Sequence, residues 1–77
     1  MVKRYYPNGT LMTEIHYNKG EIDGELKGYY ENGKLKYSSS YINGKKNGHY
    51  KDFDQNGNLT EERLYENDRF IEQIYGE

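Results

Sequence analysis

The sequence predicts an all-β protein: a single elongated antiparallel meander of about seven short strands, with no helix. Three observations predict this fold class. A period of 24 residues occurs three times, each copy contains an Asn-Gly pair, and apolar and polar residues alternate between the turns. The Asn-Gly pairs lie at 8–9, 32–33 and 56–57. No segment has the helical period of 3.6, since glycine or asparagine interrupts every candidate window.

When the three copies are aligned, these Asn-Gly pairs fall in one column, which we call the first column of turns. Asn-Gly between alternating segments is typical of a two-residue hairpin loop, because a type I′ turn needs positive φ at both central residues. We therefore predict a type I′ turn at each pair, for example within the stretch YYENGKLKY at 29–37.

A second column of turns lies about halfway along each copy. Its members are Lys19-Gly20, Asn43-Gly44 and Asn67-Asp68. Six turns join seven strands, so residues 1–77 are predicted to form one domain. Its repeats span about 2–24, 25–48 and 49–72.

The register of the sheet follows if every loop has two residues and no strand has a bulge. Under these assumptions the facing pairs are Tyr30 with Leu35, Gly28 with Tyr37, Leu26 with Ser39, Gly24 with Tyr41, Tyr37 with Tyr50, and Ser39 with Gly48. Glycines opposite tyrosines indicate rings that lie flat over bare backbone.

Alternation then predicts one aromatic face, which a single sheet cannot cover by itself. We expect this face to curl on itself, pair with a second copy or bind another protein, because tyrosine anchors dominate the affinity of many interfaces. The predicted protein-binding residues are Tyr6, Tyr17, Tyr30, Leu35, Tyr37, Tyr41, Tyr50 and Tyr65.

Composition predicts a thin core and excludes several kinds of site. Hydrophobic residues make up 32% of the 77 residues, and ten of them are tyrosines, which pack their rings while keeping the hydroxyl in water. There is no cysteine, and His16 and His49 have no nearby second histidine, so we expect no disulfide, metal or cofactor.

The residues that form these turns resemble the MORN repeat. The pattern Tyr-Tyr-x-Asn-Gly-x-Leu, followed by Tyr-x-Asn-Gly-Lys and then by GHYKDF at 48–53, is most similar to the bacterial repeat variant found in YwqK-like antitoxin proteins. The resemblance covers about residues 3–72. It implies stacked antiparallel hairpins whose aromatic face contacts a partner, without catalysis, and in the bacterial variant it implies toxin neutralisation.

Paired carboxylates such as Asp52 with Asp54 and Glu61 with Glu62 raise the alternative of a hydrolase. General acid and base catalysis needs one carboxyl in an apolar pocket and another kept ionised, and one sheet offers no deep pocket. Neighbours in a strand also point to opposite faces. We therefore expect solvated charges and no enzyme.

Lysines are concentrated between residues 34 and 51, a segment without an acidic residue. They either keep the sheet soluble or form a stripe that contacts nucleic acid or anionic lipid. The candidate residues of this stripe are Lys34, Lys36, Lys45, His49 and Lys51. The pI of 5.7 argues against a dedicated nucleic-acid binder.

Three functional hypotheses follow. The first is an antitoxin-like module that neutralises a bacterial or phage effector protein through its tyrosines. The second is structural self-association into a dimer or an array, and the third is contact of the lysine stripe with nucleic acid or anionic lipid. No apolar run approaches the roughly 18 residues of a membrane helix, and the first residues lack a signal-peptide stretch, so a cytoplasmic location is expected.

Overall fold

The computed structural model describes residues 1–76 as one open antiparallel sheet. Its strands are β1 (Val2–Tyr5), β2 (Leu11–Asn18), β3 (Glu21–Tyr29), β4 (Leu35–Ile42), β5 (Lys45–Lys46), β6 (Gly48–Phe53), β7 (Leu59–Glu66) and β8 (Arg69–Tyr75). The order across the sheet is β1-β2-β3-β4-β6-β7-β8, and β5 continues the line of β6 beside β4. The all-β meander is thereby confirmed, with the fifth predicted strand divided at Asn47.

The Asn-Gly pairs do not form the predicted type I′ turns. Only the glycines have positive φ, 89° at Gly9, 88° at Gly33 and 91° at Gly57. In the middle copy Gly33 N donates to Tyr30 O, and Tyr30 N donates to Lys34 O, both at 2.9 Å. The loop thus has three residues and ends in a left-handed glycine, a common alternative hairpin.

In the first two copies the asparagine side chain stabilises this loop. Asn32 Oδ1 accepts a hydrogen bond from Lys34 N at 2.9 Å, and Asn8 Oδ1 accepts one from Thr10 N at the same distance. Such a bond to the backbone two residues on is a turn in its own right, and it leaves the asparagine backbone on the negative side of φ. Leu35 therefore faces Tyr29 and not Tyr30.

The second column of turns has the predicted conformation. Both central residues have positive φ in each copy, for example 51° at Asn43 and 81° at Gly44. Even Asn67 and Asp68 adopt it, at 50° and 68°. Asparagine and aspartate tolerate the left-handed region better than other residues with a side chain, so the turn survives the loss of glycine.

The register of the fifth strand also differs from the prediction. Tyr41 faces Lys46 as two-residue turn geometry requires, but further along Tyr37 faces Asp52 and not Tyr50. The shift is two residues and occurs at Asn47-Gly48, where Gly48 has a φ of 98°. A shift of two keeps each side chain on its predicted face, because strand side chains alternate with a period of two.

The sheet is a single layer that nothing in residues 1–76 covers. Its extents are 37 × 34 × 11 Å, so it does not curl on itself. Within this part of the chain only Gly28 and Ser39 are buried, and no apolar side chain is. The chain folds without a conventional core, so its stability depends on contacts within the layer.

One such contact is the Tyr37 ring on Gly28, the residue it faces across β3 and β4. A Cβ atom at Gly28 would clash with this ring, so the ring lies directly on the glycine backbone. The sequence-based expectation of rings over glycine is confirmed at this pair. The contact removes an aromatic surface from water without a second layer.

Hydrogen bonds join each copy to the next at the Asn-Gly end of the sheet. Tyr6 Oη donates to Tyr29 O at 2.6 Å, and Tyr30 Oη donates to Phe53 O at 2.7 Å. Each of these two tyrosines therefore reaches the following copy. Equivalent residues make equivalent bonds one period apart, and we call these contacts the tyrosine ladder.

Side-chain hydrogen bonds also join each Asn-Gly turn to the turn of the following copy. Asn32 Nδ2 donates to Gln55 O at 3.0 Å, and Asn8 Nδ2 approaches Glu31 O at 3.5 Å. At the opposite end, the backbone N of Gly44 donates to Ile22 O at 2.8 Å. Both ends of the hairpins are thus fixed to a neighbouring copy.

The third copy departs from the tyrosine ladder because Asp54 occupies the position of Tyr6 and Tyr30. Its Oδ1 accepts hydrogen bonds from Asn56 N at 2.9 Å and Asn58 N at 3.0 Å. These bonds lower the pKa of Asp54 below its ordinary value of 3.8, the bond from Asn58 most. An ionised aspartate cannot donate, so the third copy stabilises its own loop and offers no ladder bond.

The tyrosine ladder predicts that one hydroxyl carries measurable stability. Tyr30→Phe should lower the free energy of unfolding by about 1 kcal/mol, because it leaves the ring but removes the bond to Phe53 O. Tyr17→Phe is the matched control, since Tyr17 is 46% exposed. Urea denaturation followed by circular dichroism measures both, and equal stabilities would contradict a role for the ladder.

Candidate functional site

Four of the predicted binding tyrosines lie together on one face of the sheet. Tyr37 and Tyr41 come from β4, Tyr50 from β6 and Tyr65 from β7. Their pairing partners place them on one side of the sheet. Tyr41 faces Lys46 and Tyr65 faces Gly48. Lys46, Gly48 and Tyr50 follow one another at intervals of two residues, so they lie on the same face. All four are half-buried, and we call them the tyrosine cluster.

Lys46 lies at the centre of this cluster. Its Nζ is 4.8 Å from the centroid of the Tyr65 ring and 5.5 Å from that of Tyr50. Both distances are within the range of a cation–π interaction. Phe70 extends the aromatic surface, with its ring edge-to-face against Tyr65 at 5.9 Å.

The hydroxyl of Tyr50 is held by a hydrogen bond and has a raised pKa. Burial, followed by the hydrogen bond that Tyr50 Oη donates to Asp52 Oδ1 at 3.0 Å, raises the pKa of Tyr50 to about 12. Asp52 faces Tyr37 across β4 and β6, so it belongs to the same face. The hydroxyl is thus oriented as a donor and stays protonated at neutral pH.

Beside the tyrosine cluster, β7 and β8 carry a charged network. Arg63 donates from Nη2 to Glu61 Oε2 at 2.5 Å and from Nε to Gln73 Oε1 at 3.1 Å. Arg63 faces Tyr50, so the network lies on the tyrosine side. This face is therefore mixed, with an aromatic centre bordered by fixed charges.

Sequence reasoning missed the charged members of this face. Lys46 and Asp52 are an even number of residues from Tyr50, and Glu61 and Arg63 are an even number from Tyr65. The period of two therefore places all four on the same face as the tyrosines. Attention to apolar residues alone left them out. The signal was present in the sequence, in the parity of the residue numbers along each strand.

The other predicted binding residues lie outside the tyrosine cluster. Tyr17 faces Ile22 two strands away from Tyr41, and its side chain is exposed. Leu35 faces Tyr29 at the start of β4. Tyr6 and Tyr30 belong to the tyrosine ladder, where their hydroxyls are already engaged. The structure brings together half of the predicted set.

The predicted lysine stripe is not one continuous group. Lys34 Nζ donates to Asn56 O at 3.3 Å, and Lys36 Nζ lies 5.5 Å from the Tyr30 ring. His49 Nδ1 is 2.6 Å from Glu62 Oε2. Lys45 faces Ile42 next to a turn, and Lys51 faces Ser38. Several of these side chains thus contact their own sheet.

A row of charges crosses the whole sheet on the face opposite the tyrosine cluster. Its neighbours face each other in the order Lys3, Glu14, Lys27, Ser38, Lys51, Glu62 and Tyr75. Cations and carboxylates alternate in this row except at Ser38 and at Tyr75, which ends it. We call these seven residues the charge row; opposite charges that face each other stabilise a sheet.

The described part of the chain contains no enclosed site for chemistry. Residues 1–76 form no pocket, and in this range no three histidine, aspartate or glutamate side chains gather as they would around a metal ion. Nor does this range contain a helix long and apolar enough to cross a membrane. The surfaces available for recognition are the two broad faces and the outer strands.

Comparison with known families agrees with the repeat geometry. The family model described as "MORN repeat variant" matches residues 1–19, 22–43 and 46–67. The chain therefore belongs to the MORN-repeat variant family, a family of non-catalytic repeat modules that generally bind proteins or membranes. No curated protein and no solved structure gives a significant match to the chain.

The environment of Tyr50 predicts a graded response to charge removal. Asp52→Asn should lower the pKa of Tyr50 from about 12, although not fully to its ordinary value of 10.0, because burial is the larger cause. Glu61→Gln should lower it less, since Glu61 contributes least. NMR titration of ring-labelled tyrosine measures both shifts, and an unchanged Tyr50 in Asp52→Asn would contradict the assignment.

The same pKa determines a stability change at high pH. Folding raises the pKa of Tyr50, so its ionisation favours the unfolded chain. The contribution is complete below pH 10 and is lost as the pH rises through about 12. In Asp52→Asn this loss should begin at the same pH, but it should be smaller and end at a lower pH, because the pKa of the folded state is closer to that of the unfolded chain.

The charge row predicts opposite effects at two neighbouring serines. Ser38→Glu should be more stable than Ser38→Gln by about 0.5 kcal/mol, because the new carboxylate faces Lys27 and Lys51. Ser40→Glu should be less stable than Ser40→Gln, because Ser40 faces Glu25. Thermal unfolding at low and high salt tests both pairs, and the same sign at both positions would contradict the row.

Proposed function

We propose that the chain is a non-enzymatic protein-binding module that neutralises a bacterial or phage effector by covering it with the tyrosine cluster. The observation that supports this best is an aromatic group held in place by the sheet and left open to solvent by the rest of residues 1–76. Tyrosine is enriched among the side chains that dominate binding energy.

The shape of the sheet favours a protein partner over a small ligand. A plate of 37 × 34 Å presents on the order of 1,000 Å² on each face, and a stable protein complex needs about 800 Å² per partner. A small molecule is usually bound in a concave site. Residues 1–76 form no pocket of the size that a drug-sized ligand needs, so a flat protein surface is the better fit to the tyrosine cluster.

Rigidity of the face supports the same proposal. The Tyr37 ring rests on Gly28, Tyr50 Oη is held by Asp52, and Tyr65 is packed between Lys46 and Phe70. Side chains that are already fixed lose little entropy on association, which improves affinity. Lys46 and Arg63 add charge at the centre and the border, which would select a partner of complementary charge.

Neutralisation in this proposal needs no chemistry. An effector whose active surface is covered cannot reach its substrate, so affinity and coverage determine the effect. Membership of a non-catalytic repeat family is consistent with such a steric mechanism.

Self-association is a second candidate, favoured by the outer strand β8. Four of its seven side chains are large, apolar and 44–56% exposed: Phe70, Ile71, Ile74 and Tyr75. An outer strand with free backbone groups is a template for pairing. Two copies related by a two-fold axis could pair β8 with β8 in antiparallel fashion.

The binding proposal predicts which tyrosines are needed. Tyr41→Ala with Tyr50→Ala should weaken capture of the partner by more than about 30-fold, because one dominant anchor is worth about 2 kcal/mol. Tyr75→Ala is the matched control, since Tyr75 faces Glu62 on the opposite side. Immobilised variants of the same far-ultraviolet circular dichroism are compared in capture from the source cells, followed by mass spectrometry.

The captured protein is then produced with and without the chain. Restored growth or activity on release of the partner supports neutralisation. Equal capture by the double variant and the wild type would overturn the binding proposal. Loss in Tyr75→Ala alone, together with a dimer in light scattering, would support self-association through β8.

A further inference from the structure

We propose that the face opposite the tyrosine cluster binds a phosphate monoester at Ser38, between the ammonium groups of Lys27 and Lys51. This site is independent of the proposed neutralising function. It rests on the charge row, in which Ser38 faces Lys27 on one side and Lys51 on the other.

The period of 24 identifies what is missing at Ser38. Its equivalents in the first and third copies are Glu14 and Glu62, and both are in the charge row. Glu14 faces a lysine on each side, Lys3 and Lys27. The middle copy retains both flanking lysines but has a hydroxyl in place of the carboxylate.

The row shelters an anion at this position of the repeat. The side chain of Glu14 is 20% exposed and that of Glu62 is 16% exposed, although both lie on the open face of a single sheet. Neighbouring side chains therefore cover most of a carboxylate placed there. Ser38 has one methylene and a hydroxyl where glutamate has two methylenes and a carboxylate, so an external oxyanion has the corresponding room.

The two lysines have charge available for such a ligand. In residues 1–76 no carboxylate lies within 4.0 Å of Lys51 Nζ. Glu62, which faces Lys51, has its Oε2 2.6 Å from His49 Nδ1. Lys27 Nζ is 3.7 Å from Glu25, a side chain that is 56% exposed and therefore weakly paired.

Charge balance indicates the chemical class of the ligand. Two ammonium groups match a dianion, and a phosphate monoester carries nearly two negative charges at neutral pH. A carboxylate or a phosphodiester would neutralise only one. The Ser38 hydroxyl supplies a donor to one phosphate oxygen, and lysine is a common point-charge partner of phosphate.

The test is an NMR titration of the full chain at pH 8 and constant ionic strength. The probes are inorganic phosphate, phosphoserine and dimethyl phosphate, the last a diester with one charge. We expect saturable shifts of the Lys27, Ser38 and Lys51 amides with the first two probes. Dimethyl phosphate should bind at least about tenfold more weakly, the equivalent of one charge-assisted hydrogen bond.

Three variants locate the site. Ser38→Glu fills the position with the chain's own carboxylate and should abolish the shifts, while the sheet stays folded. Lys51→Gln should weaken phosphate binding about tenfold. Lys45→Gln removes a lysine that faces Ile42, outside the charge row, and should leave binding unchanged.

Each contrary result overturns the proposal. Shifts that persist in Ser38→Glu, or that fall equally in Lys45→Gln and Lys51→Gln, mean diffuse attraction to surface lysines. Equal binding of dimethyl phosphate removes the monoester assignment, and shifts that do not saturate mean that no site exists. Partner capture by the tyrosine cluster is measured separately, so failure of one proposal leaves the other standing.

Discussion

The tyrosine ladder and the accompanying turn-to-turn hydrogen bonds are the interactions on which the rest of the structure depends. A sheet without a buried apolar side chain in residues 1–76 lacks the usual source of stability, the removal of hydrophobic surface from water. Its hairpins must therefore be fixed to one another within the layer. Tyr30 and Asn32 do this by bonding to backbone groups of the following copy. Because the same bonds join the first copy to the second and the second to the third, two residue types at fixed positions set the spacing of the hairpins.

A layer stabilised in this way has two free faces, and the molecule uses them differently. The tyrosine cluster occupies one face, with rings that rest on glycine or against Lys46. The charge row occupies the other, where lysines face glutamates in the next strand except at Ser38 and Tyr75. Neither arrangement needs a second layer, so the same contacts that stabilise the sheet also leave its side chains accessible to partners.

Much of this fold could be predicted from the sequence, because a period of 24 with two turns per copy specifies a meander and its faces. The exceptions have local causes. Side chains bond to their own loops, as Asn32 does with Lys34 N and Asp54 does with Asn58 N, and these bonds favour three-residue loops over the expected two-residue turns. Glycine bulges, as at Gly48, shift the register by two residues, which alternation alone cannot detect because the faces stay the same. The composition of the proposed binding face was predicted less completely, since a search for apolar residues overlooks Lys46 and Asp52 on the same face.

In a repeat protein the columns that do not vary carry the architecture, so function is best sought where a column changes. Tyr17, Tyr41 and Tyr65 are the same in all three copies, whereas Lys46 replaces Ile22 and Phe70, and Arg63 replaces Ile15 and Ser39. Nothing in the hairpin requires these charges, because the uncharged residues of the other copies fill the same positions in the same sheet. Each change places a charge beside the tyrosine cluster. The repeated Tyr41 and Tyr65 belong to the architecture and also supply rings to the proposed binding face, whereas the charges around them bear only on the proposed recognition. Ser38, the position at which the opposite row lacks a carboxylate, follows the same logic on the other face.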